Sequence, residues 1–293
     1  MPASVVYCQH CNSYYSTAVL SEKEIARYYQ NFTFNPPPAG SYKRARLRRD
    51  FAKKCRKIKK RIGVTGLDFL DFGGGCGLYS QGFEAAGFEV TMVEVDLRAI
   101  EIARALGIKA MSLEDVNGEF DVVFSSHVIE HYQDLDLFFS RVKTLSRPSG
   151  LAVVACPNKD SREFYRFEHV RGYLGVVKAS GLFDFISNPW WCLDPPRHFY
   201  SLSRQSLTFL AEKHGFAVVE TFSEFSTRSN FCHNDMYALC RLGNLLNPLK
   251  LLYKIYVNLS SLLMSMIFKN SMYGDNLVVV LKKLPVGTYK PDH

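Results

Sequence analysis

Between residues 67 and 156, short apolar runs alternate with amphipathic stretches. Leu67-Asp68-Phe69-Leu70 predicts a short buried strand, and Leu78 to Ala86 predicts the helix after it. Phe88 to Asp96 predicts the next strand, Phe120 to Phe138 a fourth strand with its loop, and Gly150 to Asn158 another apolar run. Strand patterns return at Phe216–Thr221 and Asn276–Leu281. This order predicts an α/β fold, a mostly parallel sheet with helices on both faces. Upstream, Leu47, Phe51, Cys55, Ile58 and Ile62 recur at steps of 4, 4, 3 and 4, so a helix is expected to dock one apolar stripe on the domain that follows.

The remaining segments divide the chain. Residues 1–40 form an N-terminal segment with one Cys-x-x-Cys, Cys8 to Cys11, and a short helix at Ser21–Tyr29 whose capping box pairs Ser21 with Glu24. The run Asn35 to Gly40 breaks the chain, residues 41–62 are the basic amphipathic helix, 63–285 the main domain, and 286–293 a tail. Lys159–Pro195 and Phe222–Asp275 interrupt the main domain, and insertions 159–195 and 222–275 are expected to cap a substrate beyond the carboxyl ends of the strands.

The turn after the first predicted strand reads Asp71-x-Gly73-x-Gly75-x-Gly77. Missing Cβ atoms there permit positive φ and close approach of a ligand to backbone. A dinucleotide turn spaces its third glycine three places after the second and sets a pyrophosphate on a helix N-terminus. Here the spacing is two, and Asp71 would repel a pyrophosphate and attract an amino group or sulfonium. Asp96 ends the next predicted strand and is expected to accept hydrogen bonds from two ribose hydroxyls.

These stretches, with Thr91–Ala103, Phe120–Phe138, Gly150–Asn158, Pro196–Glu220 and Gly274–Lys283, make the chain resemble a class I S-adenosylmethionine-dependent methyltransferase over about residues 65 to 285. The Val-Ile-Glu-His and His-Phe-Tyr-Ser-Leu-Ser elements are similar to ubiquinone-type and sugar or natural-product methyltransferases. The resemblance implies a Rossmann-like seven-stranded sheet with an antiparallel final hairpin and S-adenosyl-L-methionine as cofactor. It implies that Asp71, Gly73, Gly75 and Gly77 hold the methionine part, that Ser112 and Leu113 flank adenine, and that His127 lies where the chain passes the cofactor.

Methyl transfer from a sulfonium needs alignment and, for a hydroxyl acceptor, a base. His198, after the paired Trp190-Trp191, is the leading candidate, with His131 and Glu130 next. In ubiquinone-type relatives a Glu-x-x-Glu-His pattern is associated with a divalent metal; here His127 replaces the first glutamate, so no metal is expected and Glu130 and His131 are expected to cap the next helix. The expected reaction is methylation of a small-molecule hydroxyl on a sugar or natural product. Carbon or nitrogen transfer, a lipid-linked acceptor, and a catalytically silent binding protein of the same fold are the alternatives.

Composition refines this picture in three places. The chain has 293 residues and a formal charge of +8, yet Lys43–Arg61 alone contributes +11, leaving the rest at −3. The basicity is therefore one helix, a candidate contact for an anionic membrane or acceptor, and with no aromatic-interleaved basic stripe elsewhere no nucleic acid partner is expected. Leu245–Phe268 is too short and polar to span a bilayer and is expected to cap the site, build a homodimer or lie on a membrane surface. Eight scattered cysteines and an N-terminus without a basic-apolar leader suit a reducing, cytoplasmic setting. Related methyltransferases carry an N-terminal zinc ribbon with two cysteine pairs; Cys8 and Cys11 supply one, so a turn with free thiols is expected.

Overall fold

Alternation along the central strands decides the layering. In β3 (Asp68–Phe72), Phe69 faces one side with Val122 and Phe124 of β6 (Phe120–Ser126), while Leu70 and Phe72 face the other with Val123. Both sides are buried, as a parallel sheet requires. The computed structural model describes residues 5–21, 23–25, 27, 41–64, 68–161, 198–224, 272, 274 and 276–285.

The sheet runs β5-β4-β3-β6-β7-β10-β9. Its other members are β4 (Glu89–Val93), β5 (Lys109–Met111), β7 (Ser146–Pro157), β9 (Phe216–Glu224) and β10 (Asn276–Lys283). Strands β3 to β7 pair in parallel, and β10 lies antiparallel between β7 and β9. The expected fold class and final hairpin are thus present.

One face is covered by α1 (Tyr42–Ile62) and α2 (Leu78–Glu84), the other by α4 (Leu135–Leu145) and α5 (Arg204–Lys213), while α3 (Leu97–Arg104) packs beside β4 and β5. Helix α1 is capped by the Ser41 side chain, which accepts from the Arg44 N–H, and is closed by Gly63 at φ 63°. Its stripe docks as expected, with Cys55 and Ile58 buried and Phe51 edge-on to Tyr79 at 4.6 Å between centroids. Gly82 of α2 is what allows this approach, since a Cβ there would lie 2.6 Å from Cys55 Sγ and 3.2 Å from the Phe51 carbonyl oxygen.

Three boundaries differ from expectation. Helix α2 stops at Glu84, because Gly87 turns the chain with φ 87°. Strand β9 continues to Glu224, into the start of the expected second insertion. Strand β7 begins at Ser146 instead of Gly150, because the Arg147 guanidinium ties Asp121 of β6 (2.6 Å) to Asp68 of β3 at the amino edge.

The N-terminal segment is not a separate appendage. β1 (Val5–Cys8) and β2 (Ser13–Ser16) form a hairpin that adds to β8 (Tyr200–Ser201), making a second, three-stranded sheet. Ser203 donates to the Cys11 carbonyl at 2.8 Å and Gln205 to the His10 carbonyl at 2.6 Å, so the turn sits on the start of α5. The Ser21–Glu24 box is present, with the Glu24 carboxylate accepting from the Ser21 N–H at 2.8 Å. The linker at 35–40, most of both expected insertions, Leu245–Phe268, Trp190 and Trp191, and the tail at 286–293 lie outside the described residues.

Candidate active site

The carboxyl ends of β3, β4 and β6 converge on the glycine turn. Gly73, Gly75 and Gly77 adopt φ of 78°, 55° and 78°, the left-handed region that side chains resist. The turn hangs from β4, with the Gly73 N–H donating to the Val93 carbonyl at 2.8 Å. Their surroundings differ: a Cβ at Gly73 would strike Val128 and one at Gly77 would strike Ile108, but one at Gly75 would meet nothing within 4 Å. The open side of the turn is therefore at Gly75, a cradle that a side chain would fill.

Asp71 lies beneath this turn, 2% exposed, with the Ser80 hydroxyl donating to it at 2.6 Å. Burial pushes its carboxyl up to about 7; the Ser80 hydrogen bond pulls it down, and the charge of Glu94 raises it further. A bound cation would favour the ionised form.

Asp96, expected to meet the ribose, stands at the start of α3. Asp96 is the N-cap of α3, one carboxylate oxygen accepting from the Arg98 N–H at 3.0 Å, as a helix start demands. Glu94, just beyond β4, instead points across to the turn: one oxygen accepts from the Gly75 N–H at 2.8 Å and the other from the Val95 N–H at 2.8 Å. Asp96 stands directly before the amphipathic run of α3, and that cap signal already distinguishes it from Glu94 in the sequence.

Ser112 and Leu113 follow β5, as expected. The Ser112 hydroxyl donates to Asp115 at 2.7 Å, and Leu113 packs against the core beneath the sheet end.

After β6 the chain makes a strained turn. His127 sits at φ 58°, its N–H donating to the Ala155 carbonyl at 2.8 Å. Val128 then packs onto Gly73, and Ile129–His131 form one 3-10 turn. Helix α4 starts only at Leu135 and is capped by Asp134, so the expected capping role of Glu130 and His131 is corrected.

Their side chains do something else. Glu130 is fully buried, with one carboxylate oxygen 3.2 Å from His127 Nδ1 and the other without a hydrogen-bond partner among the described residues. Burial alone would raise its carboxyl, but the His127 hydrogen bond and the charges of His127, His131 and His198 together hold it below the ordinary glutamate value.

His198 is brought to this cluster by the backbone beside it, where the Phe199 N–H donates to the Glu130 carbonyl at 2.8 Å. The His131 and His198 rings lie 4.7 Å apart, edge to face. One ligand atom from each of Glu130, His131 and His198 falls within 4.8 Å of the others. The expectation of no metal thus meets a donor set of two imidazoles and a carboxylate, a combination suited to a divalent cation.

The wall behind the cluster comes from a segment that sequence patterns did not connect with it. Gln133 exchanges hydrogen bonds with Leu20, accepting from its N–H at 2.6 Å and donating to its carbonyl at 2.8 Å. The Tyr200 hydroxyl donates to the Gln133 carbonyl at 2.7 Å. At the hairpin turn, the Cys11 N–H and thiol lower the Cys8 thiol, whereas burial raises Cys11; both cysteines are free.

Residues 43–221, more than half of the chain, match a family profile described as methyltransferase domain, Methyltransf_23. Among curated proteins, the chain is 30% identical over 124 residues to a ubiquinone biosynthesis O-methyltransferase of Rhodopseudomonas palustris, covering 38% of this chain and 49% of that one. It is 33% identical over 112 residues to the like-named enzyme of Brucella ovis, covering 34% and 45%. The chain thus spans about half the length of these curated relatives. Among solved structures it is similar in fold to a coclaurine N-methyltransferase bound to N-methylheliamine and SAH, with a TM-score of 0.50 at 13% identity, covering 85% of this chain and 75% of that one.

Proposed function

Because this chain belongs to the methyltransferase domain family, we propose that it transfers a methyl group from S-adenosylmethionine to a hydroxyl oxygen of a small-molecule acceptor. S-adenosylmethionine supplies the electrophilic methyl, so the protein's tasks are to hold, align and deprotonate. Asp71 meets the positive charge of the methionine part through the turn, the open face at Gly75 lets the ligand reach backbone, and Glu94 accepts from the ribose hydroxyls. Insertions 159–195 and 222–275 cap the acceptor. Their described flanks support this: Asn158, after β7, donates to the carbonyls of Met272 and Gly274 at 2.9 and 2.7 Å, gathering both excursions at the carboxyl edge.

The observation that carries the oxygen acceptor is the Glu130–His131–His198 cluster, which begins two residues after Val128, itself packed on Gly73. A base so close to the cofactor turn suits an acceptor that must lose a proton, whereas an amine or activated carbon can do without one. His198 takes the hydroxyl proton; His131 and the Glu130 carboxylate orient it and balance the charge. The relatives named ubiquinone O-methyltransferases agree with a hydroxyl, and a sugar or natural-product hydroxyl is the acceptor class proposed here.

A second reading rests on the orphaned Glu130 oxygen: Glu130, His131 and His198 would hold a divalent cation, which would supply Lewis-acid activation of the acceptor hydroxyl. One experiment separates the two. Under the base reading, His198→Ala lowers kcat by roughly 10²- to 10⁴-fold with cofactor affinity unchanged, and prolonged chelation leaves the rate intact. A rate lost on chelation and restored by a divalent cation selects the metal reading. A rate indifferent to His198, His131 and chelation removes both and points to carbon or nitrogen.

A further inference from the structure

Helix α1 holds twelve basic residues between Lys43 and Arg61, and the fold turns several of them inward. Lys54 donates to the Tyr79 hydroxyl at 2.6 Å and pairs with Glu224 at 2.9 Å. Lys59 donates to the Ala86 carbonyl at 2.6 Å above the Phe88 ring. Arg61 pairs with Glu220 at 2.6 Å and covers the Phe222 ring, and Arg46 faces Asp50 at 3.7 Å.

Six others point away. Arg48, Arg49, Lys53, Arg56, Lys57 and Lys60 are exposed, and none has an acidic partner among the described residues. Tyr42, Arg49, Lys53, Arg56 and Lys60 recur at steps of 7, 4, 3 and 4. At about 3.6 residues per turn these five fall on one line, roughly 27 Å long, opposite the docked Phe51, Cys55, Ile58 and Ile62. Tyr42, at one end, is 76% exposed.

We propose that this line seats the protein on the surface of an anionic lipid bilayer, with α1 lying in the plane of the headgroups. Its shape and chemistry favour that partner. A straight row of Lys and Arg with no acidic residue on its line matches a flat anionic surface, and an exposed tyrosine suits the headgroup level, where an aromatic body and a hydroxyl tip are both satisfied. Single-stranded nucleic acid is bound by several aromatics interleaved with basic residues, and duplex reading needs side chains that address base edges; the line carries one aromatic, no Asn and no Gln. The rest of the chain sums to −3, so the positive charge of the sequence is concentrated in this helix. The same helix borders the cofactor turn, since the charge of Arg44 in its first turn acts on the Cys76 thiol.

The test is co-sedimentation of the full chain with phosphatidylcholine vesicles with and without about a third phosphatidylglycerol, at low and high salt. Binding is expected on the anionic vesicles alone and to weaken with salt. Reversing Arg49, Lys53, Arg56 and Lys60 to Glu is expected to weaken it by 100-fold or more, at about five-fold or more per charge, with melting temperature and cofactor affinity unchanged. If the reversed helix fails to fold, the four Gln replacements are expected to give a smaller loss in the same direction. Equal binding to neutral vesicles, equal binding by either variant, or tighter binding of nucleic acid than of vesicles at matched salt overturns the proposal.

Discussion

Asp71 is buried while its carboxyl titrates near 7, and this imposes a sign on stability. Unfolded, the group ionises near the ordinary value of 3.8; folded, it keeps its proton up to about 7. Between those values the folded state binds more protons, so this group lowers stability as pH rises, by a few kcal/mol at about 1.4 kcal/mol per unit. In the ligand-free protein, Asp71→Asn is therefore expected to raise the melting temperature at about pH 8 and to flatten its decline from about pH 5. S-adenosylmethionine, being cationic, should bind the ionised carboxyl, so wild-type affinity is expected to rise between about pH 6 and pH 8 while the Asn variant stays weak and flat. Calorimetry across that range checks it, and a wild-type affinity that ignores pH would count against Asp71 as the cation's partner. The two acids after β4 make a sharper pair. Glu94→Ala is expected to weaken the cofactor by about 30- to 150-fold, the loss of two charge-assisted hydrogen bonds worth about 2 to 3 kcal/mol. Asp96→Ala should instead cost about 1 kcal/mol of stability by uncapping α3, with little change in affinity. The opposite result would return the ribose to Asp96.

At the scale of elements, the α1–α2 contact depends on a hydrogen atom. Gly82→Ala would place a methyl 2.6 Å from Cys55 Sγ and against the Phe51 backbone, so a destabilisation of about 1 to 3 kcal/mol is expected. Denaturant unfolding of Gly82→Ala alone and combined with Cys55→Ala tests this, because removing the thiol relieves only part of the clash. A fully additive cost in the double variant would show that the two positions do not meet. This packing was half legible in advance. The apolar stripe from Leu47 to Ile62 announced a docked helix, and the Asp-x-Gly-x-Gly-x-Gly spacing announced the turn, because each is a local period. The β1–β2–β8 sheet was not legible, since it pairs Tyr15 with Tyr200 across a long stretch of chain and both are short strands without clear alternation. Glu130, His131 and His198 were each legible as candidates, but their meeting was not, for the same reason: two are adjacent, and the third arrives through the hydrogen bond from the Phe199 N–H to the Glu130 carbonyl.

Taken as a whole molecule, the sheet gathers three candidate sites on its carboxyl edge and sets the charged helix α1 on its flank. The glycine turn after β3, the acid after β4 and the acid–imidazole cluster after β6 stand on neighbouring parallel strands, where an open α/β sheet leaves its crevice. Helix α1 packs against α2, directly behind that turn, and carries its charge outward. Among the described residues no helix is long and apolar enough to cross a membrane, so a bilayer contact of the kind inferred for α1 would be a surface one. The most direct measurement incubates the purified chain with methyl-labelled S-adenosylmethionine and a small-molecule extract, and locates the label by mass spectrometry. A labelled methyl on the oxygen of a low-molecular-weight compound is the predicted result, abolished by Gly75→Val, whose side chain fills the open face of the turn. Label that appears on carbon or nitrogen, or persists unchanged in the Gly75 variant, would contradict it.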